Sequence, residues 1–255
     1  MKVIPSKRSS GFTLIELLVV IGILATLASL VFLGSKSALK AAKAAKVGNN
    51  MRNIHAALVV LRDEGVDTGN HNPGAYPPAS GEIDDDQGGQ FVWWDLCAVQ
   101  MNIAKRQGGN FDWDQPHSET IFQNPLSVHK LGGKRKEWGS LSSSTNDSHG
   151  SYAYNGELGD DAGSGGESEG AYVVRASQLE DASNTIWFGE ADDDDKGAGW
   201  IFEEVSSAPQ GNYKDQVHLC FVDGSVRLMK NVILKKPPVF DFLTSVRDKN
   251  YNNQP

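Results

Sequence analysis

From Phe12 to Leu33 the chain reads FTLIELLVVIGILATLASLVFL, a run of 22 residues in which Glu16 is the one charge. As a helix, at about 1.5 Å per residue, the run is roughly 33 Å long, enough to cross a bilayer core. A helix apolar on every side has no place on the surface of a soluble domain. Ahead of it lies MKVIPSKRSSG, with Lys2, Lys7 and Arg8 and no acid. A secretory signal peptide shares that layout, but its apolar region is shorter, about 7–15 residues, and ends at a small-residue cleavage site. The Ser37-Ala38 region offers only a poor site of that kind, so a membrane anchor is the better reading. Glu16 then needs explaining: a carboxylate in a spanning helix costs a few kcal/mol or more, and so implies a partner or a function. Snorkelling to the nearby interface is the plainer alternative.

The segment Arg8-Ser9-Ser10-Gly11-Phe12-Thr13-Leu14-Ile15-Glu16-Leu17-Leu18-Val19-Val20 resembles the processing site of type IV prepilins and type II secretion pseudopilins. The resemblance implies cleavage by a prepilin peptidase between Gly11 and Phe12, followed by methylation of the new amine on Phe12. It further implies that Glu16, five residues after the cut, serves assembly by pairing with the free amine of a neighbouring subunit. The physics agrees, because a buried carboxylate and a buried ammonium are each costly alone and tolerable together. Charge alone does not orient the span: cations precede it, and Lys36, Lys40, Lys43, Lys46 and Arg52 follow it without an acid between. A cytoplasmic leader with the body of the chain in the periplasm is what the resemblance implies.

Beyond Gly34 the helical pattern continues. Val47, Met51, Ile54, Leu58 and Leu61 step by four, three, four and three, one apolar stripe, and Gly65 stands where a left-handed C-cap belongs. The spacing predicts a nearly continuous helix from Phe12 to about Glu64, on the order of 80 Å long, with Gly22, Gly34 and Gly48 as points where it could bend. Lys36, Lys40 and Lys43 share a face, either solvated or against lipid headgroups. Residues 65–90 are rich in Gly, Pro and Asp and read as loop. Phe91–Ala104 is apolar and ambiguous between helix and strand, and 105–150 shows little periodicity beyond a turn at Phe122-Gln123-Asn124-Pro125. GELGDDAGSGGESEG reads as a surface loop. Short strands are expected at Ala171–Arg175, Thr185–Gly189, Trp200–Val205, Val217–Val222 and Ser225–Met229, the last two joined by Asp223-Gly224 as a two-residue hairpin.

One long helix followed by strands is an α+β architecture, a transmembrane and stem helix packed on a small antiparallel β-sheet. It is also the layout of pilins, which divides the chain into a leader (1–11), an assembly helix (12–34), a second stem half (35–64) and a globular head (65–255). Ser151–Asn155, Trp187-Phe188-Gly189-Glu190 and Phe221-Val222-Asp223-Gly224-Ser225-Val226 are similar to the prepilin-like family with an H-x9-D-G motif. The histidine position of that motif is Tyr213 in this chain, and His218 lies only five residues before Asp223.

Chemistry-bearing clusters are few. Asp192, Asp194, Lys196, Gly197 and Glu203 fall at positions 1, 3, 5, 6 and 12 of a calcium-loop pattern, with a lysine where an oxygen ligand belongs. An EF-hand is thereby disfavoured. A generic calcium loop at Asp192, Asp194 and Glu203 remains open beside a solvated acidic turn. The six histidines show no metal-ligand pairing, and no nucleophile-elbow, zincin or phosphate-loop pattern occurs. Cys97 and Cys220 form either one disulfide or two buried free thiols. The scattered tryptophans read as core, with a sugar platform as the alternative. The formal charge of −8, from 24 Lys+Arg against 32 Asp+Glu, disfavours duplex nucleic acid as a partner.

The sequence therefore leads to a structural, non-enzymatic subunit of a filament anchored in the inner membrane, a pseudopilin or a type IV pilin-like protein. Its expected partners are other such subunits, the prepilin peptidase, an assembly platform and membrane lipid. A display protein using a prepilin leader and binding carbohydrate or calcium is the competing reading.

Overall fold

The structure is a computed structural model of the chain. It describes residues 12–65, 73–82, 90–107, 110–114, 119–127, 151–159, 174–191, 201–202, 209, 211 and 213–244. By packing, the chain divides into two compact units, Met1–Ala42 and Lys43–Pro255.

Helix α1 runs from Leu14 to Glu64 without a break at Gly22, Gly34 or Gly48. It stops at Gly65, whose φ of 81° is the left-handed conformation glycine adopts without strain, and whose N–H donates to the Leu61 carbonyl at 3.0 Å. In the second unit the expected stripe is the buried face: Val47, Met51, Ile54, Leu58 and Leu61 all enter the core.

The main sheet has five strands in the order β7-β5-β6-β8-β9, where β5 is Tyr152–Asn155, β6 Ile186–Glu190, β7 Ile201–Phe202, β8 Gln216–Phe221 and β9 Val226–Lys230. It is not purely antiparallel as expected, because β7 pairs parallel with β5, Tyr154 opposite Ile201. Both faces of the sheet are covered. Tyr154, Trp187, Phe188 and Cys220 face the cluster that includes the α1 stripe. Ala153, Ile186, Val217, Leu219 and Phe221 face a second cluster with Leu234 and Leu243, from α3 (Asn231–Leu234) and α4 (Pro237–Thr244). A register shift between Ile186 and Phe188 puts Trp187 and Phe188 on the same side despite their adjacency. Burial on both faces explains why β6 and β8 read as near-continuous apolar runs rather than alternation.

The rest of the head corrects several expectations. Phe91–Ala104 resolves into β2 (Gln90–Val92), α2 (Trp93–Gln100) and the start of β3 (Ala104–Gln107). The region expected as loop over 65–90 contains β1 (Ser80–Glu82), paired with β2, and buries Tyr76 and Ala79. The region without periodicity contains β4 (Asn110–Trp113), antiparallel to β3. Of the strand expected at Ala171–Arg175, the described end is an isolated bridge from Arg175 to Ala75. The β8–β9 connection is longer than two residues. Phe221 and Ser225 close a loop of Val222, Asp223 and Gly224, with Gly224 N–H on the Phe221 carbonyl, Phe221 N–H on the Ser225 carbonyl, both at 2.9 Å, and Gly224 at φ 84°. That is a type I turn followed by a glycine bulge, the usual three-residue hairpin.

Candidate functional site

Phe12 opens the described chain and is 81% exposed, and every described side chain from there to Phe32 is exposed. Fourteen of them are large and apolar: Phe12, Leu14, Ile15, Leu17, Leu18, Val19, Val20, Ile21, Ile23, Leu24, Leu27, Leu30, Val31 and Phe32. Burying each is worth about 1.5–3 kcal/mol, so the segment forgoes on the order of 20–40 kcal/mol unless lipid or other helices cover it. The helix is long and apolar enough to cross a membrane.

Glu16 is not solitary. Thr13 N–H and Thr13 Oγ1–H both donate to Glu16 Oε2, at 2.8 and 2.9 Å, and Glu16 N–H donates to Thr13 Oγ1 at 3.3 Å. This is a capping box: Thr13 is the N-cap and Glu16 the N3 residue, each side chain satisfying the other's backbone donor. The carboxylate also sits at the positive end of the helix dipole. The T-x-x-E spacing carries that signal in the sequence, and it was the partner within the chain that sequence reasoning missed. Both bonds use Oε2; among the described residues Oε1 accepts none.

The other expected site residues divide between places. Gly11, Asp192, Asp194 and Glu203 lie outside the described residues, as do His71, His117, His129, His149, Trp138 and Trp200. Among the described residues no group of three acids, histidines or cysteines is placed to hold a metal. Cys97 and Cys220 are free thiols, so the structure holds the second of the two expected alternatives and not the disulfide. Cys97 is on α2 and Cys220 on β8, each enclosed by packing, and burial above all pushes both thiols far up from the ordinary cysteine range. Trp93, Trp94, Trp113 and Trp187 are core side chains, which removes them from any sugar platform.

A buried polar cluster in the head has no spacing signal in the sequence. Tyr152 pairs with Glu190 and Gly189 with Leu219, so Tyr152, Glu190 and His218 form a row across β5, β6 and β8. Glu190 Oε2 accepts the His218 backbone N–H at 2.6 Å and lies 2.9 Å from His218 Nδ1; Oε1 accepts Asn124 Nδ2–H at 2.8 Å. The short first contact is an arrangement only small backbone allows: a Cβ on Gly211 would fall 2.5 Å from Glu190 Oε2. Burial, and then the Glu190 charge, push the Tyr152 hydroxyl far up from its usual range. Tyr213, at the histidine position of the H-x9-D-G motif, lies with its ring centroid 6.4 Å from that of His218. Glu190 is fully buried and His218 nearly so. Enclosed in this way, the cluster ties the 119–127 segment to the sheet.

The exposed apolar helix, its capped acid and the α+β head define a membrane-anchored protein of pilin-like architecture. Residues 6–32 match the family model described as the prokaryotic N-terminal methylation motif, so the chain carries a prepilin-type leader. No curated protein and no solved structure matches the chain.

Proposed function

We propose that this chain is the precursor of a structural filament subunit, a pseudopilin or type IV pilin-like protein serving protein secretion or a pilus. The observation that carries the reading is a coincidence of position. The methylation motif at 6–32 covers the same stretch as the uncovered apolar helix and its one acid. Prepilin peptidase cuts between Gly11 and Phe12 and methylates Phe12. The mature chain sits in the inner membrane with a single pass and its C-terminal unit in the periplasm. An assembly platform then moves it into a filament in which copies of residues 12–34 cover one another. Thr13 keeps the Glu16 carboxylate satisfied while the subunit is dispersed in lipid, and the unused Oε1 takes the amine of a neighbouring Phe12 on assembly. The role is structural; the buried Glu190–His218 cluster supports the head rather than a reaction.

The test is the mass of the mature protein recovered from membranes. A chain beginning at N-methyl-Phe12 is expected; a chain beginning at Met1 overturns processing. Glu16→Ala is expected to remain in the membrane and to be missing from filaments. Entry into filaments at the wild-type level would mean that Glu16 does not pair with the neighbouring amine.

A further inference from the structure

Between Glu16 and Asp63 the chain carries six cations, Lys36, Lys40, Lys43, Lys46, Arg52 and Arg62, and no acid, in a protein whose formal charge is −8. The first two stand apart from the others by their distance from the apolar run. At about 1.5 Å per residue, Lys36 lies about 5 Å and Lys40 about 10 Å beyond Leu33 along the helix axis. Both are exposed, one turn apart on one face of α1. Lys36 Nζ lies 5.5 Å from the centroid of the Phe32 ring, so the first cation sits against the last described aromatic of the span. A lysine just beyond an apolar run lays its methylenes along that run and carries its ammonium to the membrane–water interface. Screening in about 0.1 M salt acts over about 10 Å, which takes in Lys36 and just reaches Lys40, while Lys43 and Lys46, about 15 and 20 Å beyond Leu33, lie past it.

We infer that Lys36 and Lys40 form a binding site for the anionic headgroup of a phospholipid such as phosphatidylglycerol, set where the span leaves the bilayer. This rests on the reading of residues 12–33 as a membrane span and does not depend on assembly into a filament. The paired charges anchor the exit point of the helix at the headgroup level. A lysine near an anionic membrane surface is worth roughly fivefold in binding, so the pair gives on the order of 25-fold preference for an anionic over a zwitterionic lipid.

The experiment uses the full chain, purified from membranes in a non-ionic detergent. It is offered equal amounts of phosphatidylglycerol and phosphatidylcholine and weighed by native mass spectrometry. The wild-type chain is expected to retain phosphatidylglycerol more than tenfold over phosphatidylcholine, with the preference shrinking as salt is raised. Lys36→Gln with Lys40→Gln is expected to bring the two lipids close to parity without loss of bound phosphatidylcholine, and Lys36→Arg with Lys40→Arg to keep the preference. Equal retention by the wild-type chain, or an unchanged preference in the double glutamine variant, overturns the site and leaves the span intact. Retention of neither lipid overturns the site together with the span. Dimers in place of lipid adducts, abolished by the same double variant, overturn it in favour of acids on a second copy.

Discussion

His55 Nε2 lies 3.0 Å from the carbonyl oxygen of Val222, a contact between residues 167 positions apart that ties α1 to the turn between β8 and β9. The imidazole also stands edge-on to Trp187 at a centroid distance of 5.2 Å. Trp187 Nε1–H donates to the Tyr154 hydroxyl, which donates to the Pro77 carbonyl. One histidine thus connects the helix to the aromatic centre of the head, where the polar tips of Trp187 and Tyr154 are both satisfied.

Gly224 is held in place by two separate demands. Its φ is 84°, and a Cβ there would fall 2.9 Å from His55 Cε1 and 3.2 Å from His55 Nδ1. Gly224→Ala must therefore adopt a left-handed conformation and also push the ring away from Val222. We expect a loss of about 1–3 kcal/mol in denaturant unfolding followed by tryptophan fluorescence. Combined with His55→Ala, part of that cost should vanish, because the ring that clashes is gone. A strictly additive pair of losses would mean that the close approach carries none of it.

The same histidine predicts a pH dependence. Burial, the largest effect, pulls the His55 pKa below the ordinary 6.5, assisted by Arg62 and opposed by the Val222 carbonyl and Asp223. In the unfolded chain His55 takes up a proton as pH falls through about 6.5, whereas in the folded chain it does so only at lower pH. Between the two values the unfolded state holds more protons, so stability falls as the solution is acidified. The melting temperature should drop between about pH 7.5 and pH 5.5 by more in the wild-type chain than in His55→Gln. Equal drops would assign the acid sensitivity to another group.

Glu190 should be the costliest polar residue of the head to remove. Glu190→Ala leaves the His218 backbone N–H, its imidazole and the Asn124 amide without their acceptor, all in a buried site. The expected loss is about 3–5 kcal/mol, since each buried donor left unsatisfied costs about 1–3 kcal/mol. Glu190→Gln keeps one carbonyl oxygen and should lose less, about 1–3 kcal/mol. A Glu190→Ala variant as stable as wild type would show that the 119–127 segment needs no tie to the sheet.

What the sequence made legible was what depends on local spacing. The α1 stripe through Val47, Met51, Ile54, Leu58 and Leu61 shows because one face of a helix is buried and the period of 3.6 leaves a mark. The β8–β9 hairpin shows because Asp223-Gly224 breaks an apolar run; its loop is a residue longer because Gly224 serves as the bulge and not as the turn centre. β5 does not show, since Tyr152, Ala153, Tyr154 and Asn155 are buried on both faces and alternation is absent. β3 and β4 are four residues each, too short for a period to emerge, although Gly108-Gly109 between them is a turn signal in its own right. The Asn124–Glu190–His218 cluster joins residues 66 and 28 positions apart, and no spacing rule reaches so far. At the N-terminus the motif was legible in full, and the Thr13–Glu16 box was present in it as a four-residue pattern.

The two cysteines supply a test of the interior that needs no mutation. Cys97 and Cys220 are free and fully buried, and burial drives both thiols well above their ordinary pKa. A thiol must be both accessible and deprotonated to be alkylated, and here neither condition holds. Native protein in detergent should therefore resist iodoacetamide at mildly alkaline pH, and the same protein in guanidinium, with no reductant added, should take up two labels. Two labels after unfolding confirm free thiols. No label until a reductant is present would mean that the mature chain forms the disulfide rather than the two free thiols of the structure. Rapid labelling of the native chain at a single site would instead show that one wall of the core opens, and the mass of the labelled peptide would say whether it is the wall formed by α2 or the one where Cys220 meets α1.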